Sequence, residues 1–275
     1  SFAKPTTRTI IRTLIPIGTA LLAFVVTGFL LLAGGFDPLE AYGLILQGSV
    51  GGVREGGETL VRTTSLLLTG LAVGFAFRCR VWNIGAEGQL YFGAIGAVVI
   101  ALTVAGQIPV FGVIIAIIFA MIFGAGWAAI AGVLKSRLGV NEIIVTVMLN
   151  FIAILFVDFL VHGALKAPGF EPQTALIPLT SQLPILIEGT RFHAGFLVAI
   201  AAAVLIYLIL FKTKTGFSLR ATGVNPKASG YAGINVKRSI LLTLLISGAV
   251  AGIAGACLVQ GVNDRLLVGI SPGYG

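Results

Sequence analysis

Seven long apolar runs dominate this sequence: Leu14–Ala33, Leu60–Phe77, Leu90–Val104, Ile108–Leu134, Ile143–Val161, Ala194–Phe211 and Ile240–Val259. Most reach the roughly 17 residues that a helix needs to cross about 30 Å of hydrocarbon. Leu90–Val104 is short and is completed by the residues from Glu87 to Tyr91. The runs are continuous rather than alternating, so they do not describe the strands of a closed barrel. Only 10% of the residues are charged and 57% are hydrophobic, whereas a soluble domain carries roughly 25% charged residues. Such a chain cannot clothe itself for water. The expected fold class is an all-α polytopic membrane protein, a single transmembrane domain over residues 1–275.

The net charge of +8 is explained by topology and gives no reason to expect a nucleic-acid partner. With the N-terminus in the cytoplasm and sides alternating at each run, thirteen of the 18 lysines and arginines fall inside and five outside. That is the bias that orients membrane proteins. Lys4, Arg8 and Arg12 precede the first run, but its core of about twenty apolar residues exceeds the roughly 7–15 of a signal peptide, so it reads as a retained span. Cys79 and Cys257 lie far apart without metal-ligand spacing and read as packing residues. No metal site is expected.

Four catalytic schemes fail together. There is no G-x-x-x-x-G-K-[ST] to cradle ATP and no H-E-x-x-H. The two histidines, His162 and His193, lie near the outer face, and Ser247, the buried serine, has no histidine near it in the sequence. Asp158 is the one aspartate inside a run, where an aspartyl enzyme needs two. The chain is not expected to be an enzyme, to have catalytic residues, or to bind a cofactor itself.

Three features suit the movement of a solute. In the fifth run, Glu142, Thr146 and Asn150 share an arc of about 80° at helical spacing. Such a stripe faces a wet pathway or hydrogen-bonds neighbouring helices, and the residues leave both open. Small residues form close-packing faces, Gly248, Gly252 and Gly255 in the seventh run and Gly124, Ala128 and Gly132 in the fourth. The third feature is the segment "KTKTGFSLRATGVNPKASGYAGINVKRS", residues 212–239. Asn225 followed by Pro226 is a cap with proline at the first helical position. A short helix is expected from there to Gly233, with Ala228, Tyr231 and Ala232 on one side. It suits a groove in a soluble partner, or it is a solvated loop.

Three stretches carry a resemblance. "WNIGAEGQL" (Trp82–Leu90), "NEIIVTVMLNFIA" (from Asn141) and "GFSLRATGVNPKASGYAGINVKRSILLTLLISGAVAGIAGA" (from Gly216) stand in the order found in permease subunits of ATP-binding-cassette importers for nucleosides and simple sugars, the branched-chain amino acid and ribose type. "SPGYG" at the end resembles the start of a further segment of that family. Cys79 and Arg80 stand where small residues are usual, and Trp82 replaces a phenylalanine. The similarity runs from about Pro38 to Gly275.

The resemblance implies a type II importer-like bundle of about ten spans, with seven visible here and more expected after Gly275. It places a broken membrane helix at Trp82–Leu90, where Asn83 caps the following helix, Gly85 and Gly88 permit the turn, and Glu87 and Gln89 reach a cavity. The rival reading there is a plain turn with Glu87 paired to Arg78 or Arg80. The implied translocation residues are Asn83, Glu87, Gln89, Glu142, Thr146 and Asn150. The implied coupling residues are Arg220, Gly223, Asn225, Pro226, Ala228 and Tyr231. Expected partners are two ATPase subunits that bind the ATP, a second permease subunit (identical or paralogous), an external substrate-binding protein and the lipid of a bacterial or archaeal plasma membrane. The alternative function is a passive channel or facilitator for a small polar solute.

Overall fold

The computed structural model describes residues 7–104, 107–108 and 111–275, with side-chain surroundings from Leu14 onward apart from those gaps. Lys4, Arg8 and Arg12, used above for orientation, lie outside the described side chains. The described residues form ten α-helices: α1 (Thr7–Ala33), α2 (Pro38–Val50), α3 (Val53–Arg78), α4 (Ala86–Thr103), α5 (Gly112–Leu138), α6 (Glu142–His162), α7 (Gly195–Lys212), α8 (Lys214–Val224), α9 (Pro226–Tyr231) and α10 (Val236–Leu258). Among them are seven apolar helices long enough to cross a membrane, and each overlaps one of the seven runs. The short third run becomes α4, extended backward to Ala86 as its length requires. The chain is a multi-pass, all-α membrane protein.

Two compact units divide between Gly56 and Gly57. The first is a helical hairpin. Asp37 caps α2 by accepting from the Leu39 and Glu40 amides, with Pro38 at the first helical position. The Tyr42 hydroxyl donates to the Phe24 carbonyl at 2.6 Å, and the two rings meet edge to face. Helix α2 lies outside the seven apolar runs, although Asp-Pro is a start signal of the same kind as Asn-Pro.

The second unit is built on a seam between α4, α5 and α10. A Cβ at Gly252 would lie 3.4 Å from the Gly124 Cα and would collide with the Ala120 carbonyl. Gly93 and Gly248 are as tightly placed, so three backbones touch where side chains would normally stand. Gly132 faces Leu241 and Leu244 of α10. The small-residue faces seen in the sequence are therefore the seam itself.

The helix ends sort into a basic end, which gathers Arg78, Lys135, Lys212 and the α8–α9 segment, and an opposite end. At the opposite end residues 164–194 lie against the chain after α10. The Thr174 amide donates to the Leu266 carbonyl, the Ile177 amide to Asp264, and the Leu183 amide to Gln260. The Gln260 side-chain amide donates to the Ser181 carbonyl at 2.7 Å, from a π-helical turn over Val259–Asn263. His193 is buried there, and its Nδ1 accepts from the Gly195 amide at 3.1 Å. Burial pushes its pKa down to about 4.

Candidate functional site

The polar stretch between the second and third runs is unwound. Helix α3 ends at Arg78, Arg80 takes the left-handed conformation at φ 54°, and α4 does not begin until Ala86. Seven residues of unwound backbone between two apolar spans need partners for their amides and carbonyls. Helix α6 supplies them. The Trp82 amide donates to Glu142 Oε1 (3.4 Å) and the Ile84 amide to Thr146 Oγ1 (3.3 Å). The Gly88 amide donates to Asn150 Oδ1 (2.8 Å), while Asn150 Nδ2 donates to the Ile84 carbonyl (2.8 Å). The stripe read at helical spacing is thus a ladder against the break. Glu142 is also paired with Lys135 of α5.

On the other side of the break stands Asn83, fully buried. Its amide and that of Gln89 exchange hydrogen bonds at 2.9 and 3.0 Å. Asn83 Nδ2 also donates to Ser247 Oγ of α10 (2.8 Å), and Ser247 donates to the Ala72 carbonyl of α3 (2.7 Å). One side chain therefore ties α3, α4 and α10 to the unwound segment. Asn83 does not cap α4 in the expected way. Gly85 is the cap residue, without a side-chain bond of its own, and Asn83 Oδ1 accepts from the Gly85 amide in a turn just ahead of the helix. Ser247, noticed in the sequence only as a lone serine, proved central, and local sequence gave no sign of its partners.

Glu87 pairs with neither Arg78 nor Arg80. Its Oε2 accepts from the Gly275 amide at 2.7 Å. The final residues fold back into the unit, with the Tyr274 carbonyl accepting from Thr69 Oγ1 at 2.7 Å. The structure thus brings Asn83, Gln89, Glu142, Thr146 and Asn150 onto one short segment, with Glu87 in the first turn that follows it.

At the basic end the six coupling candidates separate. Asn225 caps α9 by accepting from the Ala228 amide at 3.0 Å, as its Asn-Pro start implies. Pro226, Ala228 and Tyr231 are exposed, Tyr231 at 93%. With Phe217, Val224 and Ala232 they are exposed apolar residues on an otherwise polar segment, where Phe217, Val224, Ala228 and Ala232 line a shallow groove. Gly223 turns inward instead, where a Cβ would lie 2.5 Å from the Cys79 carbonyl at the start of the break. Arg220 folds over the Phe211 ring, its guanidinium carbon 5.0 Å from the centroid. Helix α8 itself was missed in the sequence. Its signal is Thr213, whose hydroxyl accepts from the Gly216 amide. Cys79, buried beside α8, has its thiol pKa raised by that burial.

A broken helix clamped by a polar stripe, with a capped helix exposed beside it, can be compared with known proteins. A profile described as branched-chain amino acid transport system, permease component, matches residues 57–275. The chain belongs to this permease family. The guanosine ABC transporter permease of Bacillus subtilis is 37% identical over 248 residues, covering 88% of this permease and 70% of the relative. A nucleoside ABC transporter permease of Lactococcus lactis is 32% identical over 253 residues, covering 89% and 70%. The glucose ABC transporter permease of Haloferax volcanii is 33% identical over 275 residues, covering 94% and 71%. No solved structure matches this permease significantly. The matched span coincides with the second compact unit, which holds both the break and the α8–α9 face.

Proposed function

We propose that this permease is the membrane-spanning subunit of an ATP-binding-cassette importer for a nucleoside or simple sugar. The substrate class comes from its relatives, which are named for guanosine, nucleosides and glucose. In this reading the basic end is cytoplasmic, in keeping with the positive-inside bias. The protein sits in the plasma membrane of a bacterium or archaeon. It pairs with a second permease subunit and receives solute from an external binding protein. ATP is bound by separate ATPase subunits. The break and its ladder line the pathway, where unwound backbone supplies polar groups to a solute.

One observation carries the coupling part: the exposed apolar face of α8 and α9, built on the Asn225 cap. A short helix with small residues suits the groove of a soluble partner. Gly223 puts the same segment directly against Cys79, so a push on α9 reaches the first residues of the break. Ala228 is exposed and holds up nothing in the bundle. Ala228→Trp is therefore expected to leave expression and insertion unchanged. It is expected to abolish co-purification of the ATPase and ligand-stimulated ATP hydrolysis in the reconstituted complex. Retention of both would leave a passive channel as the better reading.

A further inference from the structure

At the basic end, two guanidinium groups from distant parts of the sequence converge on one ring. The Arg78 carbon lies 5.7 Å from the Phe211 centroid and the Arg220 carbon 5.0 Å. Arg78 closes α3 and Phe211 is the penultimate residue of α7, so both mark the ends of apolar spans. A 26-residue helix is about 39 Å long, more than the roughly 30 Å of hydrocarbon. Its apolar run ends at Phe77, so Arg78 stands at the headgroup boundary.

Arg80, Lys212 and Lys214 flank the pair in the sequence, and none of these five cations makes an ion pair with a described carboxylate. Like charges gathered without a counter-ion repel. The ring accounts for part of the gathering, since a cation over an aromatic face is attracted to it. It supplies no hydrogen-bond acceptor in the plane of the guanidinium. A phosphate oxygen does, and two guanidinium forks match it better than lysines would.

We propose that Arg78 and Arg220, held over Phe211, bind the phosphate group of an anionic membrane lipid. A lipid fits better than an acidic protein surface, because Arg78 and Phe211 both stand at the ends of apolar spans. Only the choice of leaflet, the cytoplasmic one, rests on the orientation proposed above. Anionic lipids there attract each basic residue at the surface.

The test is lipid retention by the full-length permease alone, without its ATPase, so that failure here and failure of the importer reading are separate results. The permease is reconstituted in nanodiscs of phosphatidylcholine mixed with phosphatidylglycerol, stripped with detergent, and weighed by native mass spectrometry. Phosphatidylglycerol is expected to be retained about tenfold over phosphatidylcholine. Arg78→Gln combined with Arg220→Gln is expected to erase that preference, while Arg54→Gln with Arg265→Gln keeps it. Should the first pair fail to fold, Phe211→Leu, which removes the gathering ring, is expected to lower the preference severalfold. Equal retention of the two lipids in the unaltered protein overturns the proposal, as does an unchanged preference in the folded variants. Displacement of the lipid by inorganic phosphate assigns the site to a soluble anion and overturns the lipid source.

Discussion

The break before α4 and the α8–α9 segment are opposites in composition and in fate. The break is polar sequence between two apolar spans, and its Asn83 side chain and most of its amides have found partners within the chain. The α8–α9 segment is largely polar sequence outside the bundle, and its apolar residues Phe217, Val224 and Tyr231 remain uncovered. Burying an unpaired polar group is costly, so polar groups inside must be satisfied during folding. An exposed apolar side chain costs little and can wait. The first region is bonded within the chain, and the second leaves apolar surface uncovered, the surface proposed above to meet the ATPase. Where such a membrane subunit is open to its surroundings is told by misplaced apolar residues more than by misplaced polar ones.

The contrast breaks first at Asn83. Asn83→Leu leaves the Gln89 amide, the Ser247 hydroxyl and the Gly85 amide short of partners, for a loss of about 4 kcal/mol. A large fall in melting temperature and in folded yield is expected, and an unaltered melting curve would mean the network is not buried. Asn150→Leu removes one donor and one acceptor of the ladder, with an expected loss of about 2 kcal/mol. Insertion and assembly should survive while solute uptake is impaired. Uptake at the unaltered level would make the stripe packing alone.

A buried polar group at the opposite end asks whether internal satisfaction is general. The folded pKa of His193 lies near 4, below the ordinary 6.5. Between those values the unfolded chain takes up a proton that the folded chain refuses. The stabilisation is complete above pH 6.5 and is lost as pH falls toward 4. Acidifying from pH 7 to pH 5 should cost at most about 2 kcal/mol, read as a drop in melting temperature that His193→Asn flattens. The smallest effect is expected at the uncovered face. Tyr231→Ser should change stability by under about 0.5 kcal/mol while weakening ATPase binding. A stability loss matching that at Asn150 would show that Tyr231 already packs within the chain.

Much of this could be read from local pattern. Apolar runs gave the spans because hydrocarbon thickness sets their length, and Gly124 and Gly252 gave the seam because small residues at helical spacing have one common use. Asn225-Pro226 gave α9 because a cap is a matter of neighbouring residues. Pairings across the chain were not legible. Nothing around Ser247 indicates that its partners stand 164 and 175 residues away, and the spacing of Glu142, Thr146 and Asn150 does not say what they face. Gly223 and Arg220 were grouped with the exposed coupling residues because they lie beside them in sequence, yet one turns inward to Cys79 and the other onto Phe211.

The ladder between α6 and the break also bears on leakage. Water or a proton entering there meets side chains already engaged, and must displace a bond before gaining one. A solute with several hydroxyl or amide groups can replace several of these bonds together, which a lone water or ion cannot. On the reading proposed above, in which the break lines the pathway, the hydrogen bonds that hold the unwound segment in place also oppose leakage of ions through it.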